Sequence, residues 1–134
     1  MRSLGKFFSL GVVGWILNVV WEEVHAVFYA HYQGGAITHE VLLRAAMVDT
    51  FIILVLVIVA ELVPFFLRHR FLFFMIAGAV VGIAIELWAL GSGRWAYQST
   101  MPLIPLIHVG ATPTIQLGLT GYAAYMLMRQ YRIF

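Results

Sequence analysis

Three carboxylates interrupt the long apolar runs of this chain. Glu22 stands in "NVVWEEVHAVFY", Asp49 in "LLRAAMVDTFIILVL" and Glu86 in "VVGIAIELWAL". A charge at mid-helix in lipid is costly, so ionisable residues there are functional candidates by default. A carboxyl group in an apolar pocket can keep its proton at neutral pH and donate it to an alkene or epoxide. A second carboxylate can then take a proton away. His25 adds a further acid-base group, three residues after Glu22. Glu22-x-x-His25 also has the spacing of a ligand pair in carboxylate di-iron bundles. Glu22, Asp49, Glu86 and His25 are therefore the candidate catalytic residues.

These residues need helices to hold them. The chain has 134 residues, 63% hydrophobic and 10% charged. That excess of apolar residues indicates an integral membrane protein rather than a soluble domain. Four segments are long enough to cross a bilayer, over about 7–29, 41–67, 71–95 and 113–128. Residues 1–134 read as one transmembrane domain of the all-α class, a four-helix bundle running up-down-up-down. The N-terminal segment lacks a small-residue cleavage site after its apolar run and reads as a first membrane helix. Arg2, Lys6, the "RHR" at Arg68 to Arg70, Arg129 and Arg132 fall on one side of such a bundle. The excess of cations places both termini in the cytoplasm, in a bacterial or archaeal inner membrane. With a net charge of only +2 and no basic patch, no nucleic-acid partner is expected. No cysteine is present, so thiolate metal sites and disulfides are excluded. "MPLIPLIHVGATPT" between the third and fourth helices is too apolar for a solvated loop and too rich in proline for a helix. It reads as an outer loop in the interface or a lid over the site. Thr112 reads as the cap of the fourth helix, with Pro113 at its first position.

Helical geometry decides which carboxylates meet. At 100° per residue, Gly11, Gly14, Trp15, Asn18, Glu22, His25 and Tyr29 share one stripe. Glu23 points away from it, toward the head groups or a partner. Leu42, Ala45, Asp49, Ile53 and Leu56 share a face of the second helix. Gly78, Gly82 and Glu86 are spaced four apart on the third, and "GAVVG" is a close-packing signature in membranes. Counted from the outer helix ends, Glu22, Asp49 and Glu86 lie roughly 10–13 Å deep at 1.5 Å per residue. They form one acidic layer. Three negative charges at that level must be protonated, paired or metal-bound. His25, Arg44, Arg94, His108 and Gln116 are the candidate partners. Glu61 lies near the cytoplasmic end and reads as a surface pair. The aromatic residues suit an outer belt. Trp21 and Trp88, beside carboxylates, can also wall a cavity.

"NVVWE", Asn18 to Glu22, resembles the Asn-x-x-Trp-Glu stretch of the membrane-integral terpene cyclases of meroterpenoid and indole-diterpene pathways. In that family the Glu is one of two acidic residues that protonate the substrate. The resemblance extends to Asn18, Trp21 and Glu22, five positions of the chain in all. It implies an isoprenoid substrate and leaves Asp49 or Glu86 as the second acid. The family's chains are longer, with more helices, and a homo-oligomer could complete a site that one chain cannot. In size the chain also resembles small bacterial four-helix membrane proteins.

The expected function is thus a membrane-embedded acid/base enzyme, of cyclase or isomerase type, acting on a lipophilic, isoprenoid-like substrate. Asn18, Trp21, Tyr29, Trp88, Arg94, Tyr97, His108 and Gln116 would surround the substrate. Membrane lipids are the other expected partners. No cofactor is required. If a divalent metal binds, its ligands come from Glu22, His25, Asp49, Glu86 and His108. A proton or ion relay and a non-catalytic subunit of a membrane complex are the remaining alternatives. The wholly apolar run between Thr50 and Ala60 argues against a simple channel.

Overall fold

The computed structural model describes residues 2–130. Tyr131 and Arg132 lie outside the described residues, and so does the side chain of Arg2. The chain is mostly helical. Helix α1 spans Arg2–His25 and passes through a 3-10 turn at Ala26–Phe28 into strand β1, Tyr29–Tyr32. Helix α2 spans His39–Leu62 and the short α3 spans Pro64–Arg68. Helix α4 spans Arg70–Gly91, β2 spans Trp95–Tyr97 and α5 spans Ala111–Gln130.

Three of these helices are long and apolar enough to cross a membrane: Leu4–Phe28 (α1 with its 3-10 extension), α2 and α4. Their outward faces carry large apolar side chains such as Phe8, Val20, Met47, Phe51, Ile76 and Val80. The fourth long helix, α5, is different. Its buried side includes Thr114, Gln116, Gly118, Thr120 and Gly121. Its exposed side still carries apolar residues, Ile115, Leu119, Met126 and Leu127.

The sequence periodicity places the helices correctly but overextends three of them. The second helix was expected to run through Pro64. Instead it stops at Leu62, because proline disfavours helical backbone in the residue before it, and Val63 is extended at φ −115°. Tyr29 and Trp95, expected within the first and third helices, lie in a two-stranded antiparallel ribbon. Tyr29 pairs with Tyr97, and Tyr32 pairs with Trp95. This ribbon ties the C-terminal ends of α1 and α4 together. The fourth helix begins at Ala111, and Thr114 N–H bonds the Gly110 carbonyl, so Gly110 takes the capping place expected of Thr112.

Small residues set the spacing between the helices. A Cβ on Gly78 would fall 2.5 Å from the Gly118 nitrogen, and one on Gly82 would fall 3.0 Å from the Pro113 carbonyl oxygen. Rising numbers on α4 thus meet falling numbers on α5, and the two run antiparallel. Gly14 faces Thr50 and Gly11 faces Leu54, which makes α1 and α2 antiparallel as well. The buried cluster of Leu10, Ile53, Val57, Phe74, Leu117 and Ala124 draws on all four long helices. It fills the half of the molecule remote from the ribbon.

Candidate functional site

Gln116, on the buried side of α5, is the hub. Its Nε2 donates to Glu22 Oε1 at 2.7 Å and to Asp49 Oδ2 at 2.7 Å. An amide nitrogen has two hydrogens, so these two bonds use both. The two carboxylate oxygens therefore lie no farther apart than the two bonds laid end to end. Asn18 Oδ1 is 3.3 Å from the same nitrogen and 3.2 Å from Thr120 Oγ1. Asn18 Nδ2 donates to the Gly14 carbonyl at 2.8 Å. Asn18 is fully buried and fixes the underside of the hub.

Glu86 is held differently. Tyr29 donates to its Oε1 at 3.1 Å. Trp95 Nε1 donates to Oε2 at 3.3 Å, and the Tyr97 hydroxyl donates to the same oxygen. All three donors come from the ribbon. Burial pushes the phenols of Tyr29 and Tyr97 above the ordinary tyrosine value, and the Glu86 partner adds to the shift. Both therefore remain protonated donors. Three donors on one carboxylate suit its ionised form. The Tyr97 oxygen also accepts from Gly110 N–H at 3.0 Å, which anchors the start of α5 to the ribbon.

The three carboxylates line one cavity of about 570 Å³. That volume is within the range of small-molecule sites. Glu22, Asp49, Glu86 and Gln116 supply its polar depth. The ribbon roofs it with Tyr29, His31, Tyr32 and Trp95. Val48 on α2 and Trp88 on α4 line it and are each 57% exposed, so its mouth lies between those helices. Arg44 and Arg94 stand at the outer rim. The Arg94 guanidinium lies 5.2 Å from the Trp88 ring centre and donates to the Tyr32 hydroxyl at 3.1 Å.

Several expected residues converge here, and others do not. Equal depth is not what brings the carboxylates together. Glu22 is three residues from the end of α1, Glu86 five from the end of α4 and Asp49 ten from the start of α2. The helix ends are staggered, and the ribbon closes over the shallower two. His25 shares the buried face with Asn18, but its ring bonds Thr112 Oγ1, not Glu22. It packs against Trp21, Phe28 and Tyr29. His25 thus docks the start of α5 onto α1 and does not line the cavity. Trp21 does not line it either; its Nε1 is buried with no hydrogen-bond partner among the described residues. His108 is exposed in the proline-rich loop, with φ at 54°, and is not among the cavity residues. That loop folds on itself through Ile104 N–H to Val109 O at 2.8 Å and does not roof the cavity. The Glu-x-x-His pair is split, and no group of three or more His, Asp or Glu side chains is poised for a metal among the described residues.

Outside the cavity, Glu23 pairs with His39 at 2.7 Å on the surface. Glu61 accepts from Tyr125 at 2.5 Å at the opposite end. Residues that sequence reasoning missed are Thr120, Trp95 and His31, together with Thr112, which was read only as a helix cap. Gln116-x-x-x-Thr120 is one turn of helix, a same-face polar pair that points to the hub. Trp95 and His31 gave no such signal, because their roles depend on pairing between strands more than 60 residues apart, as between Tyr32 and its partner Trp95. Comparison with known proteins supplies no relative: no family model matches the chain, and no curated protein or solved structure is similar to it.

Proposed function

We propose that this protein is a membrane-embedded acid/base enzyme acting on a lipophilic substrate, of isoprenoid type, held between α2 and α4. The observation that carries the reading is the single Gln116 amide bridging Glu22 and Asp49 on the wall of a ligand-sized cavity. Two carboxyl groups this close, away from bulk water, are best satisfied when they hold one proton between them. That proton is the one to deliver.

Protonation of an alkene carbon, or of an epoxide oxygen with cleavage of its C–O bond, leaves a carbocation in the cavity. The carboxyl oxygens of Glu86 and the face of Trp88 would stabilise it. Ring closure or migration moves the cation along the substrate. Loss of a proton from a neighbouring carbon to the Glu22–Asp49 pair restores the starting state, so the reaction is balanced in protons. This is cyclase or isomerase chemistry. It agrees with the resemblance of Asn18, Trp21 and Glu22 to the membrane-integral terpene cyclases.

The matching architecture is a four-helix up-down-up-down membrane bundle with both termini cytoplasmic. The antiparallel contacts of α1 with α2 and of α4 with α5 support it. So do the cations Arg68, Arg70 and Arg129, which lie near helix ends remote from the ribbon.

Native mass spectrometry of protein released from gently extracted membranes tests the function. The expected result is one isoprenoid-sized molecule per chain. Glu22→Gln should fold normally and lower turnover of that molecule by roughly 10²–10⁴-fold, the usual worth of a general acid. A chain that carries no small molecule, or a Glu22→Gln variant with undiminished turnover, would refute the reading.

A further inference from the structure

The cavity has a polarity along its length. Its depth is acidic, with Glu22, Asp49 and Glu86, and its rim is basic, with Arg44 and Arg94. Arg44 and Asp49 are five residues apart on one helix, roughly 8 Å at 1.5 Å per residue. Between them the wall is formed by Ala45 and Val48.

The two rim cations are not equivalent. Arg44 is paired with Glu40 on the exposed surface. Arg94 takes part in neither ion pair found among the described residues. Its guanidinium is flanked by the rings of Trp88 and Tyr32 and, among the described residues, bonds the Tyr32 hydroxyl alone. A half-buried guanidinium held rigid by two rings, with donors unused and no counter-ion, is a preformed anion receptor. His31 lines the same end, and its Nδ1 accepts from Gly34 N–H at 3.1 Å. That bond leaves the proton of a neutral ring on Nε2, as a second donor.

The geometry points to an amphiphile with an anionic head, a carboxylate or phosphate, bound at Arg94 with its apolar chain in the cavity. The acidic depth repels such a head and the rim attracts it, so only one orientation is admitted. The reactive carbon would then sit at the acidic end of the cavity, away from the head. This rests on the proposed acid/base reading and names its substrate class.

Binding to purified protein in neutral detergent tests it, with oleic acid, dodecyl phosphate and oleyl alcohol as probes at pH 8. Wild type should bind at least one of the two acids at least tenfold tighter than the alcohol. Arg94→Gln should remove that preference and leave alcohol binding intact, and Arg94→Lys should retain part of it. Equal affinities for all three in wild type, or a preference that survives Arg94→Gln, would overturn the proposal. If Arg94→Gln does not fold, the wild-type comparison and Arg94→Lys still decide. Glu22→Gln should keep the head preference. In the wild type, a head preference without any turnover sinks the acid/base reading alone. Turnover without a preference sinks this one alone. Phosphatidylglycerol in the detergent separates sources: competition with dodecyl phosphate assigns the head to a bilayer lipid, and its absence to a single-chain acid.

Discussion

Gln116 has no apolar substitute. Replacing it with Leu leaves Glu22 and Asp49 facing each other with no shared donor. An unsatisfied buried group costs about 1–3 kcal/mol, and more if charged. Gln116→Leu should lower the thermal unfolding temperature in detergent accordingly. Adding Asp49→Asn supplies a new amide beside Glu22 and should recover part of the loss. Additive losses in the double variant would show that the pair is not coupled through Gln116. At this scale the sequence was informative where helical spacing decides direction. Glu22, Asp49 and Glu86 interrupt apolar runs, and all three reach the cavity. It misled where a residue has two suitors. His25 lies on the predicted face, yet Thr112 of α5 takes its ring, and no spacing within α1 can reveal that.

Helix α4 and helix α5 touch backbone to backbone. A Cβ on Gly78 would meet Gly118 N at 2.5 Å and Gly118 Cα at 2.8 Å, and neither atom can rotate away. Gly78→Ala should therefore separate the helices and cost about 1–3 kcal/mol or more in chemical unfolding. Gly5 has nothing within 4 Å of an added Cβ. Gly5→Ala should gain up to about 1 kcal/mol from helix propensity alone. If the two substitutions behave alike, the close seam is not what holds α4 to α5. The "GAVVG" signature announced this seam in the sequence. The ribbon was not announced. Its strands are four and three residues long, and their aromatic residues match an outer belt equally well. Short strands need a partner to be recognised, and here each partner lies beyond a whole helical hairpin.

Taken whole, the molecule has two unlike ends. One holds the ribbon, the cavity and the surface pair Glu23–His39. The other holds Glu61 with Tyr125, and Arg70 over the Tyr125 ring. Single cysteines at Gln33 and at His69 should label from opposite faces of an intact membrane, His69 from the cytoplasm. Labelling of both from one side would exclude the up-down-up-down topology. The apolar composition made the membrane class legible from the start, and the cation positions suggested which end faces inward. The cavity could not be read that way, because it is bounded by side chains from α1, α2, α4, α5 and the ribbon together.

The polar interior of α5 has a consequence for how the protein is made. Thr114 and Thr120 donate back to the Gly110 and Gln116 carbonyls of their own segment, but the Gln116 amide is satisfied by groups of helices made earlier, Glu22 of α1 and Asp49 of α2. Offered alone to an insertion machinery during synthesis, this segment would carry the bare Gln116 amide into lipid, and unlike α1, α2 and α4 it is not among the helices apolar enough to cross a membrane. Helix α5 is thus a passenger that must be received by helices made before it. In a glycosylation-tag insertion assay, α5 by itself should integrate poorly, and the same segment following α1 through α4 should integrate well. Efficient integration of α5 alone would mean that its partners are recruited after entry and not needed for it.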